Sequence, residues 1–145
     1  VTRHVLQLPL IALLIALGTA GASAEPYVVS PRASDETKAA VAHGRPPEHG
    51  FPEIHDVQFQ SSPQLHPGTS LQAEVDTSSN VHYVEGRVKY WNVVFVETSP
   101  GKFKLTYRVP MLPPSALGHW DLEVIARSVD GVEVKRTFPV RYSYF

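Results

Sequence analysis

Between Gly118 and Tyr142 the chain alternates apolar and polar residues almost without interruption. Trp120, Leu122, Val124 and Ala126 are separated by Asp121, Glu123 and Ile125, and Arg127 follows. A period of two marks a half-buried strand, and Ile125 is the one apolar residue on the polar side. Asp130-Gly131 follows, a dipeptide suited to a tight hairpin turn. Beyond it Val132, Val134, Phe138, Val140 and Tyr142 share one parity against Glu133, Lys135, Thr137 and Arg141, with Arg136 breaking the apolar face. The pattern predicts a long antiparallel hairpin with one face toward a core and one toward water.

The same alternation recurs upstream. Val57 and Phe59 share a face; Leu71, Ala73 and Val75 alternate with Gln72, Glu74 and Asp76. A third strand is expected over Val81 to Tyr90, where Gly86 marks a bulge or close packing. Val93 to Val96 is a short apolar run, and Phe103, Leu105, Tyr107 and Val109 form another alternating set. Turn chemistry separates them at Pro67-Gly68, Ser78-Ser79-Asn80 and Ser99-Pro100-Gly101, and Pro113-Pro114 lies in a crossover. About seven short strands with a turn every ~8–12 residues are the spacing of an immunoglobulin-like sandwich. The predicted fold is therefore all-β: a single Ig-like antiparallel β-sandwich over residues 53–145.

Residues 25–52 lack a period and hold Pro26, Pro31, Pro46, Pro47 and Pro52 with Gly44 and Gly50. They are expected to form a flexible Pro-rich leader, with a transient helix near Glu36 to Ala42. Residues 1–24 read as a signal peptide: Arg3 and His4, the apolar run Val5 to Leu17, then small residues ending Ala22-Ser23-Ala24. The apolar run falls short of the roughly 20 residues a spanning helix needs. An exported protein, periplasmic or extracellular, with no membrane span after cleavage is the expectation.

Composition narrows the function. The formal net charge of −1 gives no electrostatic case for nucleic acid. The absence of cysteine excludes disulfides, thiol catalysis and thiolate metal sites. A hydrophobic fraction of 43% is enough for a real core, and thirteen prolines argue against a helical protein.

The runs Pro67-Gly68-Thr69-Ser70-Leu71, Pro100-Gly101-Lys102-Phe103, Gly118 to Ala126 and Asp130-Gly131 resemble those of bacterial Ig-like modules of secreted and surface proteins. The resemblance spans about residues 53–145 and rests on turn residues and alternating apolar positions. It implies the sandwich and a range of spacer, adhesion and binding roles, and it carries no active site.

Candidate chemistry is sparse. Glu74 with Asp76 and Asp121 with Glu123 sit two apart on polar strand faces, as any solvent face does, so no enzyme is expected. No G-x-S-x-G elbow or phosphate loop occurs. The leading expectation is a non-catalytic binding or structural module, without cofactor, that engages an envelope or surface protein or a glycan. Its candidate residues are Trp91, which falls off the parity of its strand, and the turn residues Asn80 and Asp130. A Trp91 that only binds predicts a nearly unchanged thermal midpoint in Trp91→Ala. A second expectation is periplasmic copper or zinc binding by His43, His49 and His55, which recur every six residues. A third is an accessory domain of a separately encoded enzyme.

Overall fold

The structure, a computed structural model, describes residues 27–62, 64–89 and 91–145. The expected signal peptide lies outside them. Among the described residues no helix is long and apolar enough to cross a membrane.

The elements in chain order are β1 (Val28–Val29), α1 (Asp35–Ala42), β2 (Ile54–Phe59), β3 (Gln64–Leu65), β4 (Ser70–Thr77), β5 (Val81–Arg87), β6 (Asn92–Val94), β7 (Val96–Ser99), β8 (Lys102–Arg108), β9 (Gly118–Ser128) and β10 (Val132–Tyr142). They form two sheets. One runs β1-β10-β9-β5-β6, with β3 also on β10; the other runs β2-β4-β8-β7. Every pairing is antiparallel except β3 with β10. The chain is a mostly-β sandwich, as the alternation predicts. In the long hairpin Val134 faces Ala126 in register and Phe138 faces Leu122.

The period-two residues supply the core. Leu71, Ala73 and Val75 of β4 and Phe103 and Leu105 of β8 join Val84, Leu122, Val124 and Val140 from the other sheet in one buried cluster. Burial of such faces, at ~25 cal/mol per Å² of apolar surface, holds the sandwich without a disulfide.

The strand count differs from the expected seven or so. The Val93 to Val96 run does not make one strand. Phe95 is buried and its N–H donates to the Val84 carbonyl at 2.9 Å, so the chain leaves one sheet there as β6 and enters the other as β7. The two-residue strands β1 and β3 are too short for alternation to reveal them.

The stretch expected to be a flexible leader also differs: residues 27–52 lie against the sandwich. Val28 and Val29 pair with Glu133 and Val132, and the Ser30 N–H donates to Gly131 O at 2.8 Å. Ser34 caps α1, its Oγ accepting from the Thr37 N–H at 3.1 Å, and Asp35 and Glu36 occupy the favourable first turn. Thr37, Pro47 and Pro52 are buried, and Tyr27 stacks on Phe51 with ring centroids 4.4 Å apart. The segment has too few apolar residues to pack on itself. Beyond its own helix and turns, its backbone finds partners on β10 and on the sandwich turns.

Candidate functional site

The strands β6 and β7 end the two sheets on one flank and meet at Phe95. All four residues of β7 are exposed. Val94 is 51% and Val96 67% exposed, while Phe95 between them points inward at 5%. The alternation that buries Phe95 turns both valines outward. The β2 edge of the same sheet is protected. Its exposed residues His55, Asp56 and Gln58 are polar, His55 contacts Glu53, and Gln58 donates to Asp56. The Arg136 guanidinium donates to the Ile54 carbonyl at 2.6 Å. Charge along an edge keeps foreign strands away. Each of the two edges carries one carboxylate, Asp56 and Glu97, but at β7 it stands beside exposed Val96.

Trp91 sits in the turn where the sequence places it, but its ring is engaged. It meets Trp120 edge-on, centroids 5.5 Å apart, and Tyr107 at 6.4 Å. Trp120 stacks on buried Tyr142 at 5.8 Å. The Tyr142 hydroxyl accepts from the Leu112 N–H and donates to Pro110 O, and Tyr144 donates to Leu112 O, so the cluster fastens the crossover after β8. Half-buried Trp91 helps close the end of the core rather than standing free as a platform. Trp91→Ala is therefore expected to lower unfolding stability by about 2 kcal/mol, roughly the burial of a large apolar side chain. Chemical denaturation checks this; an unchanged midpoint would return Trp91 to the role of a free contact residue.

Asn80 and Asp130 come together with His49. The Asp130 carboxylate, 9% exposed, accepts from the His49 N–H at 2.8 Å, and its Oδ1 lies 2.8 Å from His49 Nδ1. The Asn80 amide NH₂ is shared among the carbonyls of His49, Gly50 and Phe51 at 2.9–3.1 Å. Asn80 O in turn accepts from the Val129 N–H. Residues from two turns thus clasp the 49–51 segment.

The hydrogen bond to Asp130, then its charge, raises the His49 pKa above the ordinary 6.5; desolvation opposes this and the Glu48 charge adds to it. A raised folded pKa means the protonated imidazole favours the folded state. Its contribution is fully present below pH ~6.5 and is lost as pH rises through the higher folded value. In EDTA-containing buffer the thermal midpoint is expected to fall on going upward from that pH, and His49→Gln to flatten the response. A midpoint equally pH-dependent in both proteins would contradict it.

The expected histidine trio does not assemble. His43 Nδ1 contacts Ala39 O at the end of α1, and His55 lies on β2 beside Glu53. A spacing of six places the three on a helix end, a loop and a strand. Among the described residues, the group whose ligand atoms lie within 4.8 Å of one another is Glu48, His49 and Asp130.

A further polar cluster escapes the sequence. Glu85 is 2% exposed. Burial pushes its carboxyl pKa up, but hydrogen bonds from Asn92, Arg87 and Tyr83 and the Arg87 charge outweigh it and hold the pKa below the usual value. Arg127 caps the Tyr83 ring at 4.8 Å and pairs with Glu133 at 2.7 Å. Among the described residues no buried side-chain N or O atom lacks a hydrogen-bond partner, which is what a structural network looks like. In sequence Glu85 is one more polar residue at outward parity, and nothing signals its burial.

No family model and no characterised protein matches the sequence. Among solved structures the chain is similar to a DUF4785 family protein from Legionella pneumophila (16% identity, TM-score 0.49, 60% of this chain). It spans 28% of that protein. It is also similar to a Niemann-Pick type C2 protein from the Japanese carpenter ant (13%, 0.44, 64% of this chain and 93% of that one). A third is the superoxide reductase neelaredoxin from Ignicoccus hospitalis (10%, 0.42, 74% and 90%).

Proposed function

We propose that the chain is an exported Ig-like module that binds another envelope or surface protein along its β6–β7 flank. The observation that carries this is the pair Val94 and Val96, exposed on adjoining edge strands, where every exposed residue of β2 is polar. An extended segment of the partner adds to β7 as a further strand. Main-chain hydrogen bonds supply affinity and the valines supply apolar contact. Export rests on the pattern of residues 1–24. A glycan is the other partner the sequence admits, through stacking on Trp91, but that ring is occupied by Trp120 and Tyr107. As an accessory domain, the chain would present the same edge to its enzyme.

The test is affinity capture from envelope extracts of the source cells with three baits: wild type, Val96→Lys and His55→Lys. One protein held by wild type and by His55→Lys, and lost at least ~10-fold with Val96→Lys, is the expected result, since a lysine on an edge strand opposes pairing. Equal retention on all three baits would remove β7 from the interface.

A further inference from the structure

The clasp at Asp130 has a chemistry that edge binding does not use. Glu48, His49 and Asp130 bring two carboxylates and an imidazole within 4.8 Å of one another. His49 and Asp130 stand 81 residues apart in the chain and meet where the loop before β2 touches the β9–β10 turn. An imidazole between two carboxylates is a mixed N/O donor set, the kind that holds divalent first-row metals.

Asp130 Oδ1 and His49 Nδ1 are 2.8 Å apart, the length of the hydrogen bond between them. A small shift of the exposed His49 ring opens that pair to an ion ~2.0–2.1 Å from each atom. Asp130 is anchored by its bond from the His49 N–H and is nearly buried, while the His49 ring is 54% exposed. That leaves solvent-side positions for water. Asp130 also lines two open cavities of about 330 and 410 Å³; the first carries Arg32 and Arg127, so the second is the way in for a cation. The second cavity is lined by Glu36 and Glu48 against a single cation, Arg45.

We propose that Glu48, His49 and Asp130 bind one divalent first-row transition-metal cation. The ion takes the place of the proton that His49 Nδ1 shares with Asp130 Oδ1, and that proton passes to solvent. Bound there, it staples the 48–49 loop to the β9–β10 turn and so stabilises the folded chain. The site differs from the histidine trio in using one imidazole, not three.

Cu²⁺ is the probe, titrated into the 145-residue chain and followed by calorimetry, thermal midpoint and electron paramagnetic resonance. The expected result is one equivalent bound, a midpoint raised by several degrees and reversed by EDTA, and hyperfine coupling to a single imidazole nitrogen. His49→Gln should abolish the shift. Glu48→Gln, an exposed change that leaves the fold alone, should weaken binding roughly tenfold, in line with loss of a carboxylate ligand. Coupling to two or three nitrogens, binding unchanged in both variants, or no binding would each overturn the proposal. None of these outcomes touches Val94 or Val96, so the edge reading stands or falls separately.

Discussion

Gly101→Ala is expected to lower unfolding stability by roughly 2–5 kcal/mol, from backbone strain and a forced shift of the neighbouring strand. The thermal midpoint should drop by about 10 °C or more. Gly101 lies in the turn between β7 and β8 with φ +76°, which disfavours any side chain with a Cβ. A Cβ there would stand 2.6 Å from the Thr77 carbonyl oxygen, a backbone atom of β4. The same two residues are joined by the Thr77 N–H to Gly101 O bond at 2.8 Å, so neither can move away without breaking it. Gly44 supplies the control. Its φ of +69° is similar, but nothing lies within 4 Å of an added Cβ, so Gly44→Ala should cost about 1 kcal/mol. Equal losses in the two variants, measured by chemical denaturation, would show that strain alone matters and the contact does not.

Asn80→Ala is the second large effect. One side chain serves the carbonyls of His49, Gly50 and Phe51 and contacts Ser78 through its Oδ1. At about 1 kcal/mol per hydrogen bond lost, the cost is roughly 3 kcal/mol. Asn80→Asp should be no better, because a carboxylate cannot donate to three carbonyls. The loss is local, so limited proteolysis reads it directly. The variant should be cut between residues 44 and 52 under conditions that leave the wild type whole. Resistance equal to wild type would mean that β1 and the His49–Asp130 contact hold this segment without Asn80.

These two residues show what the chain discloses in advance. Gly101 sits in a Ser-Pro-Gly run and Asn80 closes a Thr-Ser-Ser-Asn run, so both turns are visible as turns. The strands on either side are visible because half-buried sheets impose a period of two, and β4, with its burial alternating along its length, follows it. What escapes is whatever depends on distant partners. Residues 27–52 have no apolar face, so nothing local says they will pack; their attachment runs through β10, Asn80 and Asp130, tens of residues away. The change of sheet at Phe95 hides inside a run of apolar residues, where period cannot be read. The site is split the same way. Asn80, Asp130 and His49 stand out singly as a turn residue, a turn residue and a possible ligand, and only the fold brings them together. Glu48 enters because it precedes His49, and Val94 and Val96 because Phe95 between them is taken into the core.

Binding along the β6–β7 flank is tested most directly by photo-crosslinking. A benzophenone amino acid at position 96, with a matched probe at position 55 on the β2 edge, is expressed in the source cells and irradiated. The expected result is one discrete protein adduct from position 96 and none from position 55, with the adduct from 96 suppressed by lysine at position 94. Equal labelling from the two edges, or no adduct at 96 in cells where the chain is folded and exported, would contradict a docking edge at β7.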